Sequence, residues 1–245
     1  MRIVVVGGTG LIGKALVAAL RERGHQAVPA SPSTGVDTLT GAGVAEALAG
    51  AQVVVDVTNS PSFADGPVLD FFTRSTTTQL AAEREAGVGH HVALSIVGTD
   101  RLPDAGYLRA KVAQEELITG SGIPFTILRA TQFFEFLGMI ADSATEGSTV
   151  TVPEGAFQPV AAADVAAALA ELATGAPVGG TIDLAGPDRR TMEEFVREFL
   201  AAREDPRSVT TGPDARYFGT AIGDALVPAG DARIGATGFE DWLKA

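Results

Sequence analysis

At 245 residues, 46% of them hydrophobic and 20% charged, the chain is long enough to bury the core of one large α/β domain. A net charge of −12, from 30 acidic and 18 basic residues, argues against nucleic acid and anionic membrane as partners, because neutralising phosphates takes clustered Lys and Arg. The absence of cysteine excludes disulfides, thiolate catalysis and Cys-ligated metals, and His25, His90 and His91 lack metal-ligand spacing, so no metal is expected.

The first strand is predicted over Arg2–Val6, an apolar β-branched run that stops at Gly7 and Gly8. A helix follows over Leu11–Arg23, with Leu11, Ala15, Leu16, Ala19 and Leu20 on one face. Gly24 ends it, and His25–Ala30 is the second strand, which completes a βαβ unit and implies a parallel sheet. Ser31–Gly35 is too short and too rich in breakers for a helix, so a short strand near Val36 is expected next, then a small helix around Val44 and Leu48. Gln52–Val57 reads as a buried strand. A long helix over Val68–Ala86 shows apolar positions at Leu69, Phe72 and Leu80 and a polar interruption at Ser75–Thr78. His90–Ser95 is a strand, Tyr107–Thr119 a helix, and Pro124–Leu128 a strand.

After Phe133–Ala141, expected as helix, the alternation loosens. Thr149–Val152 is extended, Asp164–Ala173 helical, Thr181–Leu184 a strand, and Thr191–Arg203 a helix capped reciprocally by Thr191 and Glu194. The tail from Asp205 reads as surface structure, ending in an amphipathic piece with Phe239, Trp242 and Leu243. Six or seven βα units predict a doubly wound parallel sheet. The chain opens on a strand pattern without a signal-peptide pattern, and no apolar run is long enough to span a bilayer, so cytoplasmic residence is expected.

Two stretches carry chemistry. Strand, glycine turn and helix succeed one another at Val6–Lys14, the geometry in which a helix N-terminus and its free N–H groups meet a phosphate. The glycines fit two spacings, Gly8-x-Gly10-x-x-Gly13 and Gly7-x-x-Gly10-x-x-Gly13. Further along, Ser95 ends a strand where open α/β sheets place their sites, and Tyr107 and Lys111 stand four apart on one helix face. Thr99 is close enough to compete with Ser95.

The glycine turn, the serine and the Tyr-x-x-x-Lys pair resemble the short-chain dehydrogenase/reductase superfamily. The Gly7/Gly10/Gly13 spacing, the missing second helix and the Arg129-Ala130-Thr131-Gln132-Phe133-Phe134 turn look most like its atypical, NmrA-like branch. The resemblance implies a Rossmann sheet of roughly seven parallel strands over residues 1–245, with segments near 133–160 and 187–245 forming a substrate region. It also allows a homodimer. Its cofactor would rest on Gly7, Thr9, Gly10, Leu11, Ile12, Gly13 and Asn59, with Asp37-Thr38 near adenine.

Hydride transfer from a nicotinamide to a carbonyl leaves an alkoxide that needs a proton. Tyr107 is then the acid/base, with its pKa expected to be lowered by Lys111, which would also hold the nicotinamide ribose; Ser95 would donate to the carbonyl oxygen. No acidic residue ends the second strand, and Ser31, Ser33 and Lys14 are placed to meet a 2′-phosphate, so NADP(H) is favoured over NAD(H). For a small apolar or aromatic ketone or quinone, Phe63, Phe133, Phe134 and Phe136 are candidate pocket walls, and Gln132 and Gln158 polar contacts. Two other readings compete with such a reductase: a non-catalytic dinucleotide-sensing regulator, and an isomerase or dehydratase that returns the hydride to product.

Overall fold

The computed structural model describes the chain from Met1 to Ala245. In chain order its elements are β1 (Arg2–Val6), α1 (Leu11–Glu22), β2 (Gln26–Ala30), α2 (Val44–Leu48), β3 (Val53–Asp56), α3 (Asp65–Ala86), β4 (His90–Ile96), α4 (Gly106–Thr119), β5 (Phe125–Ala130), α5 (Leu137–Ser143), β6 (Thr145–Glu146), β7 (Thr149–Val152), β8 (Ala156–Phe157), α6 (Ala162–Thr174), β9 (Gly180–Ala185), β10 (Arg190–Thr191), α7 (Met192–Ala202), β11 (Ser208–Thr211), β12 (Arg233–Ile234) and α8 (Phe239–Lys244). Seven strands form one sheet in the order β12-β9-β5-β4-β3-β1-β2, with every pairing parallel. This is the doubly wound α/β sheet that the alternating pattern predicts. No helix is long and apolar enough to cross a membrane.

A parallel strand covered on both faces has no polar side, so it reads as an unbroken apolar run. Ile3 and Val5 pack with α1 and α6 on one face, while Val4 and Val6 pack with α2 on the other. The same alternation puts Val92 and Leu128 against α6 and sets Ala93 and Ile127 against α3 and α4. Strand order reverses beside β1, so a crevice opens at the carboxyl ends of β1 and β3.

The expected strand near Val36 does not form. Pro32–Thr34 makes a 3-10 turn closed by Gly35 at φ +82°, and Val36 is buried without joining the sheet. The seventh strand lies at the other edge, where Arg233–Ile234 pairs with Leu184–Ala185. The tail is therefore more than surface structure. Ser208–Thr211 pairs with β7, and Ile222, Leu226 and Val227 are buried.

Two helix faces also differ from expectation. Leu11 and Leu69 are half exposed; α1 buries Leu16 and Leu20 as read, together with Ile12 and Val17. In α3 the polar run stays helical, with Ser75 and Thr76 buried and Thr77 exposed, its hydroxyl donating back to the Thr73 carbonyl. Ser75 donates to the Thr38 hydroxyl at 2.8 Å, and the Gln79 amide donates to Asp56 at 3.1 Å. The cap of α7 forms as read, with Glu194 N donating to the Thr191 hydroxyl and Thr191 N donating to the Glu194 carboxylate.

Candidate active site

Gly7 leaves β1 at φ +81°, its N–H donating to Ala30 at the end of β2. A Cβ at Gly7 would sit 2.8 Å from the Val57 carbonyl oxygen, and one at Gly13 would overlap the Gly7 carbonyl. Only hydrogen fits at either place, so the turn stays tight and α1 packs close on the sheet. Gly8 is as confined, against Pro29 and Val5, whereas Gly10 has more room. Steric demand therefore falls on members of both glycine spacings.

The turn opens onto a cavity of ≈ 820 Å³ at the carboxyl ends of the central strands. The structure brings Gly7, Thr9, Gly10, Leu11, Ile12, Ser31, Asp37, Asn59, Ser95, Tyr107, Lys111, Gln132 and Phe133 to its wall. It does not bring Gly13, Ser33, Lys14 or Phe134 there. Gly13 serves helix packing, Ser33 is exposed at the rim with its hydroxyl donating to Thr9 Oγ1 at 3.4 Å, Lys14 is exposed, and Phe134 is fully buried in a second core against Phe195, Phe239 and Trp242. Phe134, expected at the substrate, packs inward because Phe133 and Phe136 take the outer side of the same 3-10 turn, stacked at 5.3 Å along the cavity.

Tyr107 and Lys111 share the cavity wall but are not joined by a hydrogen bond. The Tyr107 hydroxyl donates to Asn59 Oδ1 at 2.7 Å. Lys111 Nζ donates to the Leu94 carbonyl at 2.8 Å and to Gln114 Oε1, and lies 4.4 Å from the centre of the Phe72 ring. The expected lowering of the Tyr107 pKa is overturned. Burial among Phe63, Phe72 and Phe218 holds the phenol above the ordinary tyrosine range. Burial also lowers Lys111, to about 8, against the opposing pull of Asp56 and Glu115.

Ser95 and Thr99 separate cleanly. Thr99 donates its hydroxyl to the Leu108 carbonyl at 3.0 Å and lies off the cavity. The Ser95 hydroxyl is buried at the cavity wall without a partner, and so are the Thr58 hydroxyl and both polar atoms of the Gln132 amide. Buried polar groups without partners are uncommon and costly, so four at one cavity mark a place for a ligand. Gln158 is spent elsewhere, donating to the Gly186 carbonyl.

At the other end Ser31 is structural as well as placed. Its hydroxyl donates to Ala30 O at 2.8 Å and accepts from Thr9 N. The Asp37 carboxylate accepts from Leu39 N at 2.8 Å, which holds it below the usual carboxylate range. Thr38 lines the same end.

Two wall residues carry no signal in the sequence. Tyr217 and Phe218 come from the tail, on a turn closed by reciprocal hydrogen bonds between Tyr217 and Thr220. Phe218 sits at φ +52° and Gly219 at φ +78°, a type I′ turn with an aromatic where Asn or Gly is usual. The Phe218 ring lies parallel to Tyr107, 5.2 Å between centroids. Asp56 and Gln114 also escape sequence reasoning, although an acid inside Val53-Val54-Val55-Asp56-Val57 is a visible exception to an apolar strand.

A confined glycine turn, a helix N-terminus and unpaired polar atoms along one elongated cavity fit a dinucleotide. A family model described as NAD(P)H-binding matches residues 7–175. The photosystem II assembly factor Ycf39 of Cyanophora paradoxa is 22% identical over 167 residues, 62% of this chain and 52% of that protein, so the chain spans about half the length of this curated relative. Among solved structures, the NADPH-dependent quinone oxidoreductase QOR2 from Escherichia coli, complexed with NADPH, superposes with a TM-score of 0.69 at 22% identity, covering 87% of this chain and 78% of that one. The UDP-glucose 4-epimerase of Thermus thermophilus, in complex with NAD, gives 0.73 at 20% identity, covering 93% and 91%. At such identities the likeness is one of fold.

Proposed function

Because the chain belongs to the NAD(P)H-binding family, we propose that it is an oxidoreductase that uses NADPH to reduce a carbonyl or quinone of a small apolar or aromatic substrate. The observation that carries this reading is the unpaired Ser95 hydroxyl, set at the same cavity wall as a protonated phenol and a buried ammonium. When bound, the nicotinamide supplies the hydride. Gly7, Thr9, Gly10, Leu11 and Ile12 would hold its pyrophosphate side, and Lys111 its ribose.

The residues of the chain supply the rest. Ser95 offers a hydrogen bond to a substrate oxygen that gains negative charge. Tyr107, kept in its acid form by burial, donates the proton; Asn59 orients that hydroxyl until the substrate oxygen takes its place. Phe133, Phe136, Phe63 and Phe218 keep water away and suit a flat apolar substrate. Residues 1–245 then act as one dinucleotide-binding unit, with substrate walls from the 133–160 and 187–245 segments. QOR2 is a quinone reductase by its name, which favours a quinone among candidate substrates.

NADPH consumption is to be followed with a panel of ketones and quinones, comparing wild type with Tyr107→Phe. Loss of the general acid is expected to cut turnover by about 100-fold or more, with NADPH affinity little changed. Tight NADPH binding, no turnover of any substrate and an indistinguishable Phe variant would leave a regulator in place of an enzyme. Substrate conversion without net NADPH oxidation would indicate an isomerase or dehydratase.

NADPH is proposed over NADH because no carboxylate stands at the end of β2, where one would grip the ribose 2′-hydroxyl. A fluorescence titration is expected to show tighter binding of NADPH. The reverse order would shift attention to Asp37.

A further inference from the structure

Beneath the cavity floor lies a continuous buried polar chain. Lys111 Nζ donates to Gln114 Oε1, and the other end of that amide donates from Nε2 to Asp56 Oδ2 at 2.9 Å. Asp56 Oδ2 also accepts from Gln79 at 3.1 Å, and Oδ1 accepts from Thr58 N at 2.9 Å. Asp56 therefore meets donors only, as an ionised carboxylate requires. Asp56, Gln79, Gln114 and Lys111 are each 3% exposed or less, so no bulk water screens them.

An ammonium in such a place is disfavoured unless an opposite charge faces it. The candidates can be taken one by one. Glu115, the next residue on α4, is engaged through both oxygens by Arg129, which also binds Asp100. Glu83 is engaged by His91 at 2.9 Å. Tyr107 is neutral and turned to Asn59. Asp56 is the stronger of the two carboxylates that act on Lys111, Glu115 being offset by Arg129, and the Gln114 amide is aligned to pass its influence on, acceptor end to the cation and donor end to the anion.

We infer that Asp56, acting through Gln114, is the counter-charge that keeps Lys111 cationic and fixed at the cavity wall. Both are positioning residues. Two of the three Lys111 donors are committed, to Leu94 O and Gln114, which leaves one for a ligand. The importance of the pair for turnover rests on the reductase reading; the electrostatic role does not.

The chain has three lysines, Lys14, Lys111 and Lys244, and Lys111 alone is buried. Selective ¹³C-lysine labelling of the cofactor-free protein therefore gives a titration of each ammonium by NMR. Lys111 is expected to titrate near 8 in wild type. Asp56→Asn and Gln114→Met are each expected to lower that midpoint by about one pH unit. Gln79→Met, which removes a partner of Asp56 outside the bridge, is expected to leave it in place. A wild-type midpoint in either Asp56→Asn or Gln114→Met, or an equal fall in Gln79→Met, overturns the inference. Should Asp56→Asn not fold, an unmoved midpoint in Gln114→Met still overturns the inference, and Asp56→Glu, which keeps the charge, is expected to hold the wild-type midpoint. Because the measurement needs neither cofactor nor turnover, failure to find a substrate leaves it intact, and a turnover-competent protein with unmoved midpoints refutes the bridge by itself.

Discussion

Phe218 is held in a conformation that bulky residues avoid, and the cost is of order 1–2 kcal/mol. Against this stands its parallel stacking on Tyr107, worth about 0.5–1.5 kcal/mol beyond the area buried. Burial of part of the ring adds to that stacking, so Phe218→Gly, although it relieves the strain, is expected to lower unfolding free energy by about 1–2 kcal/mol in urea titration. Its chemical effect is larger. The ring is part of what desolvates the Tyr107 phenol, and its removal lets the pKa fall back toward the ordinary tyrosine value. With only two tyrosines, an ultraviolet titration of phenolate reads this directly. A Gly variant with unaltered tyrosine ionisation would show that Phe63 and Phe72 suffice to dry the hydroxyl.

At the start of β4 two adjacent histidines face opposite sides of the sheet and obey opposite rules. His90 is buried with one hydrogen bond, to the Thr126 hydroxyl at 2.9 Å, and burial lowers its pKa to about 4. For His91 burial also opposes the cation, but the adjoining Glu83 carboxylate and the charge of Asp56 win, and its pKa is raised. The signs follow from linkage. Above pH 6.5 the His90 contribution is fully present; as pH falls toward 4 the unfolded chain takes a proton that the folded one refuses, and stability is lost. The His91 contribution is full below 6.5 and fades as pH rises through its raised pKa. The His90 share amounts to as much as ~3 kcal/mol between those limits. His90→Gln should therefore flatten the acid side of the stability profile, measured by denaturant unfolding at neutral and mildly acid pH. A variant that loses stability on acidification as steeply as wild type would place the acid sensitivity elsewhere.

Across the whole molecule, what was legible followed from period and punctuation. Apolar β-branched runs need no partner to be recognised: Ile3–Val6, Val53–Val55 and the glycines after Val6 are buried or confined by the strand-turn-helix geometry itself. Thr191 and Glu194 likewise announce a helix start within four residues. The rest depended on contacts distant in sequence. Arg233–Ile234 is a strand only because Leu184–Ala185 offers it hydrogen bonds, and two residues carry no period. Phe133 and Phe134 are neighbours of one type, yet one lines the cavity and the other the core, a choice made by Phe195, Phe239 and Trp242. Tyr217 and Phe218 reach the site from a turn with no motif, and the packing of aromatic rings around Tyr107 could not be read from its spacing to Lys111. The late position of these pieces has a consequence for assembly during synthesis. Six of the seven sheet strands lie within Arg2–Ala185, so the dinucleotide crevice can form while the tail is still being made. The edge strand and the ring over Tyr107 come last. The cavity wall is therefore complete only once Tyr217 and Phe218 have been made.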